Sequence, residues 1–311
     1  MKFQRWCLTL FCAGAMAAAC YAQDALPATD DVSAPAPAPA PLPKPALSDV
    51  VQMVSKDAKI DWTIFQFRAT GIGVAPETAS GSRAKALARE AAITVAERNL
   101  LKITDGVHIT SETQVENLIM TSDVIKTKLE GVLQGAVIVN EKDMDDGSYM
   151  VVMAIPMLGK SSLADAVDLP AQVDKATPQD DLTMADVTAP KAVKGNVTGL
   201  LIDCRGLKVS PAMSPAILAV DDQTIYPRED ITPDTLVKKG VVAYFKSVDA
   251  AKASGRVGAR PLIIKASSIK KDGDDMWYTS PIVSQADAAR ILAEDSRSDF
   301  MSRLGVGFIV D

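Results

Sequence analysis

The chain has 311 residues, 48% of them hydrophobic and 23% charged, with a formal net charge of −6 and a single histidine. An acidic balance with no basic cluster argues against nucleic acid as a partner, because phosphate backbones are bound through a basic surface. One histidine excludes zinc sites built on several of them and leaves a single imidazole for any catalytic triad.

At the N-terminus, Lys2 and Arg5 flank the start of an uncharged apolar stretch over 6–19, the pattern of a secretory signal. That stretch falls short of the ~20 residues a membrane-spanning helix requires. Residues 1–22 are therefore expected to be a signal peptide, cut after Ala22 where Cys20-Tyr21-Ala22 offers small residues to the peptidase. A rival cut exists at Ala17-Ala18-Ala19-Cys20, a lipobox lacking its usual leucine, so lipidation of Cys20 is the competing and less favoured reading. No second apolar run reaches spanning length, so no membrane span is expected, and a lipid anchor only if Cys20 is modified. Of the four cysteines, Cys204 alone then remains, which excludes an internal disulfide. Apolar Leu200, Leu201 and Ile202 run into it and predict a buried thiol.

Residues 23–47 carry an Ala-Pro repeat and no aromatic side chain, the composition of an extended spacer without a core. The segment 48–158 reads as a first α+β domain. Residues 62–74 form a β-branched and aromatic strand ending at Gly71-Ile72-Gly73, whose glycines are read as packing residues. A helix over 82–103 presents a stripe of Ala84, Leu87, Ala88, Ala91, Ala92 and Val95, small enough to lie close on a sheet. Residues 107–115 alternate as a half-buried strand, and a second helix capped by Thr121 or Ser122 runs to Gly135. Strands over 136–141 and 148–156 join through Asp146-Gly147, a dipeptide favoured in type I′ turns.

Residues 159–195, rich in Asp, Pro, Thr and Ala, predict an interdomain linker with one short helix near 162–167. A second domain, 196–311, opens with a strand over 197–204 and closes with one over 305–310. Between them lie strands at 216–220, 224–226, 241–245 and 261–267 and helices at 247–253 and 285–304. The fold class is thus α+β: two small domains, each a sheet with helices on one face, joined by a Pro/Asp-rich linker.

No catalytic set stands out. Alternation puts His108 on the wet face of its strand as a solvated side chain. Asp143, Asp145, Asp146 and Asp272, Asp274, Asp275 lie in turn-like runs without the calcium-loop spacing, and no metal or cofactor is expected. Asp203, Arg205, Arg256 and Arg260 stand at strand ends or beside glycines, where they could converge on an anionic ligand or form an internal salt bridge.

The run Ala69-Thr70-Gly71-Ile72-Gly73, the alanine-rich helix, Gly106-Val107-His108-Ile109 and the segment Tyr149-Met150-Val151-Val152-Met153-Ala154-Ile155-Pro156 resemble the LPP lipoprotein family of Gram-negative bacteria. The likeness covers about residues 60–157. The C-terminal block resembles a companion domain of unknown function in exported proteins. The resemblance implies a non-enzymatic envelope scaffold or assembly factor, linked to flagellar or outer-membrane structures. Its location would be the periplasm or the periplasmic face of the outer membrane, and its partners other envelope proteins or itself. The alternative is a periplasmic small-ligand or glycan-binding module using the Asp/Arg cluster.

Overall fold

An added Cβ at Gly71 would lie 2.0 Å from the carbonyl oxygen of Ala92, and one at Gly73 would lie 2.1 Å from that of Ala88. These two glycines set the distance between the layers of the first half. They belong to strand β3 (Gln66–Val74), the middle of a five-stranded antiparallel sheet, and helix α1 (Gly81–Asp105) lies directly on them. The buried stripe of α1 is Ala88, Ala92, Ala96, Leu100 and Ile103, whereas Leu87 from the expected stripe faces outward. The computed structural model describes residues 50–110, 112–173, 196–270 and 278–311. The expected signal peptide, Cys20, the Ala-Pro spacer and the acidic run at 272–275 lie outside the described residues.

The sheet has the order β1 (Val51–Ser55), β2 (Ala58–Asp61), β3, β5 (Ser148–Pro156), β4 (Val137–Asp143). Residues 62–65 turn rather than extend, because the Asp61 carboxylate accepts the main-chain N–H groups of Thr63 and Ile64. Trp62 is thereby driven into the core, with its indole N–H on Gln52 at 3.0 Å. The β4–β5 turn also differs from a type I′ turn. Met144 exchanges main-chain hydrogen bonds with Gly147 and Ser148, and only Gly147 has a positive φ, of 81°. That is a type I turn closed by a glycine bulge.

Residues 107–115 do not form the expected strand. They fold back on themselves, with Val115 N–H on the carbonyl of Val107 and Ile109 N–H on that of Thr113. Val107, His108, Ile109 and Thr110 are all buried, so the alternation marks a tight loop rather than two faces. Val115 then opens α2 (Val115–Thr121), followed by α3 (Asp123–Gln134), whose N-terminal Ile125 N–H is accepted by Ser122.

The start of the expected linker is instead core. Helix α4 (Leu163–Ala166) and a 3-10 turn (Leu169–Gln172) bury Leu163, Ala164, Ala166, Val167 and Leu169. The rest of that segment, 174–195, lies outside the described residues.

The second half centres on a parallel sheet of order β10 (Pro261–Lys265), β6 (Gly199–Asp203), β13 (Val306–Ile309), β9 (Ala243–Phe245). Runs such as Leu200–Leu201–Ile202 are buried throughout, the signature of a parallel strand covered on both faces. A small mixed sheet flanks it, of order β11 (Ser268–Ile269), β12 (Pro281–Ile282), β7 (Ile217–Leu218), β8 (Thr224–Tyr226). The helices are α5 (Pro233–Lys239), which the sequence reading passed over, α6 (Val248–Ala253) and α7 (Gln285–Ser298).

The described residues from 50 onward form one compact unit, and one hydrophobic cluster runs from Val50 to Val310. The two expected cores are therefore joined. Trp62 of the first half meets Tyr244 of β9 edge-on at 5.5 Å, and Tyr244 in turn meets Phe308 at 5.9 Å. Main-chain bonds cross the seam from Met213 N–H to His108 O, from Ser214 N–H to Ile109 O and from Gly159 N–H to Val237 O. Among the described residues, no helix is long and apolar enough to cross a membrane.

Candidate functional site

The four residues singled out as an anion site do not come together. Strands β6 and β10 run parallel with Gly199 opposite Pro261 and Asp203 opposite Lys265. Asp203 and Arg205 therefore lie at the carboxyl ends of the strands, while Arg256 and Arg260 lie at the amino ends. At ~3.3 Å per residue, five paired positions separate the two groups by roughly 16 Å.

At the carboxyl end, Arg205 grips Asp203 with two nitrogens, Nε at 2.9 Å and Nη2 at 2.6 Å, and its main-chain N–H adds a third bond at 3.2 Å. The guanidinium is the leading cause that holds the Asp203 carboxyl below its ordinary value. At the other end, Arg256 is spent on the chain itself. Its Nη1 donates to Lys239 O at 2.6 Å, and its Nη2 donates to Gly240 O at 2.7 Å and Val241 O at 3.1 Å. Lys239 O is one of the last helical carbonyls, which lack partners within α5, and Gly240 and Val241 follow it, so Arg256 ties down the end of α5 and the chain leaving it. Tyr226 adds its hydroxyl to Val241 O at 2.6 Å. Burial lowers the pKa of Arg256, as expected for a cation taken out of water. Arg260 is exposed and held through its main chain, to the hydroxyl and N–H of Thr198.

His108 is not the solvated side chain expected of it. It is 5% exposed, its Nε2 lies 3.4 Å from Gln114 Nε2, and its carbonyl carries one of the bonds across the seam. Asp143 pairs with Lys85 at 2.8 Å, and Asp146 accepts the N–H and hydroxyl of Ser148, so this acidic turn is fixed by its own neighbours. Among the described residues, no group of three or more His, Cys, Asp or Glu side chains could hold a metal ion. Cys204 is buried as expected, and desolvation, helped by Asp203 and Asp311, pushes its thiol up to about 12.

Sequence reasoning missed the charges that gather around Arg205. Gly206, at φ 84°, donates its N–H to both carboxylate oxygens of Asp311, at 3.1 and 3.0 Å, and Lys246 donates to the main-chain oxygen of Asp311. Lys265 stands at the paired position beside Asp203. Asp311 lies 105 residues from Gly206 along the chain, and only the parallel register of β13 with β6 brings them together.

Residues 199–311, beginning at the first residue of β6, match a family model described as the second domain of Treponema pallidum Tp0624. No curated protein matches the chain.

Proposed function

We propose that this protein is an exported, non-enzymatic scaffold or assembly factor of the cell envelope. It would act in the periplasm or at the periplasmic face of the outer membrane and bind envelope proteins or itself through its first sheet. The observation that carries the reading is the sheet face that no element covers among the described residues. Helix α1 covers one side, and the other leaves Met53, Ile72 and Val74 exposed at 62%, 52% and 69%. Ile72 and Val74 are neighbours on that face, and adjoining exposed apolar side chains are what an interaction surface presents. The flanking strands β1 and β4 also offer free edges among the described residues, and such edges accept an added strand.

Arg256, Asp203 and Asp143, by contrast, are engaged in holding the fold. This disfavours the four-residue ligand site, of which only Asp203 and Arg205 are neighbours. The link to flagellar or outer-membrane structures is proposed from the resemblance to the LPP lipoprotein family.

Cell fractionation followed by site-specific photo-crosslinking tests the reading. A photoreactive residue at position 72 or 74 should give adducts with a defined envelope protein, and one at Glu130 on α3 should not. A processed chain recovered only from cytoplasm, or equal labelling from position 130, overturns it.

A further inference from the structure

We propose that the carboxyl edge of the parallel sheet, at Gly206, Arg205 and Lys246, is a seat for the carboxylate of a ligand, occupied in this structure by the chain's own Asp311. The topology selects the place. The chain enters the sheet at β6, goes to β9 on one side, crosses to β10 on the other, and returns to β13 between β6 and β9. All four strands run the same way, and ligands of open parallel sheets bind beyond the carboxyl ends of the strands. Gly206 follows β6, and Asp311 follows β13.

The local chemistry selects a carboxylate. The Gly206 N–H already faces two carboxylate oxygens at hydrogen-bond distance, and the left-handed backbone that aims it there suits glycine. A Cβ built on Gly206 would meet no atom within 4 Å, so the turn is not crowded on its Cα side. Three cations, Arg205, Lys246 and Lys265, surround two carboxylates, Asp203 and Asp311. Withdrawing the Asp311 side chain leaves the Asp203 carboxylate gripped by Arg205, Lys246 on the main-chain oxygen of residue 311, and the Gly206 N–H without its anion.

Asp311 is exposed, and the strand before it is held independently by Val310 N–H on Phe245 O at 2.9 Å. Its side chain can therefore leave without disturbing β13. A peptide C-terminus and a sugar acid share the required group. The inference stands apart from the scaffold reading, since that one concerns the opposite half of the chain.

The test is a titration of the full chain followed at the Gly206 amide resonance by NMR. The probes are N-acetyl-alanyl-alanine, glucuronate and, as a control, N-acetyl-alanyl-alanine amide. Asp311→Ala should bind one of the two carboxylate probes about tenfold more tightly than the unaltered chain, a difference of about 1.4 kcal/mol. The amide should leave Gly206 unmoved, and adding Lys246→Ala should abolish the gain. Which probe binds separates peptide from sugar acid. A Gly206 resonance in Asp311→Ala that is unmoved by both acids, or moved equally by the amide, overturns the proposal. Should Asp311→Ala lose its fold, the unaltered chain decides alone: displacement at high probe concentration supports the seat, and its absence rejects it.

Discussion

At the scale of single residues, the glycines separate into those the fold requires and those it merely tolerates. At Gly71 the obstruction is backbone, Ala92 O at 2.0 Å and Ala96 N at 2.5 Å, so no side-chain rotation relieves it. Gly71→Ala must push α1 off the sheet, and it should cost at least the ~1–3 kcal/mol of an overpacked core. Gly131 lies inside α3 with open space around its Cβ position. Gly131→Ala should stabilise by roughly 0.5–1 kcal/mol, the ordinary penalty of a mid-helix glycine. Urea unfolding of both variants checks the pair, and equal effects would refute the close-contact account. Cys204 gives a second expectation at this scale. With its thiol pushed up to about 12 and its side chain buried, iodoacetamide at pH 8 should leave it unmodified in the native protein and alkylate it in denaturant. Mass spectrometry reads the result.

At the scale of elements, Arg256 shows how a charged residue can serve a helix to which it does not belong. Its fork reaches three carbonyls at the end of α5, and an ammonium on a flexible stem cannot span all three. Arg256→Ala should therefore destabilise by ~2–3 kcal/mol as Lys239 O and Gly240 O lose their side-chain donor, while Val241 O keeps the Tyr226 hydroxyl, and Arg256→Lys should recover little of it. Arg260→Ala, at an exposed position, should stay within about 0.5 kcal/mol. Thermal unfolding of the three variants checks the order, and a rescue by lysine would count against the fork. Local pattern made many elements legible: β5 falls on residues 148–156 as expected, α6 falls within the expected 247–253, and the small-residue stripe of α1 meets the glycines of β3. The pattern failed where chain direction was decided by a few polar contacts. Asp61 turns residues 62–65 out of a strand, and the bonds of Ile109 and Thr110 to Thr113 O fold an alternating run into a loop. Of the Asp/Arg cluster, the internal salt bridge forms between Asp203 and Arg205, while the separation of Arg256 and Arg260 from them was hidden for a related reason. Standing at strand ends was visible in the sequence, but which end depends on parallel pairing between segments some sixty residues apart.

At the scale of the molecule, the seam between the halves decides how the protein unfolds. A Pro- and Asp-rich segment between two α+β patterns suggests two independent cores, yet Trp62 from the first half is 1% exposed and lies against Tyr244 of the second. Tyr244 does more than pack, since its hydroxyl accepts from Ala212 N–H at 2.9 Å and donates to Ala212 O at 2.8 Å. It thereby holds the strap whose next residues, Met213 and Ser214, bond to the His108 loop. Indole, phenol and strap form one continuous path from the β2–β3 turn to β13. Trp62→Ala empties the middle of that path, and a buried aromatic cut to alanine typically costs 3–5 kcal/mol. If the halves were separate folding units, the loss would be confined to residues 50–173. Because the core is shared, native-state hydrogen exchange in Trp62→Ala should also lose protection at the amides of β9 and β13, by a factor of about a hundred or more in the limit where exchange follows global opening. A variant in which those amides keep their full protection while β2 and β3 lose theirs would show that the halves unfold separately.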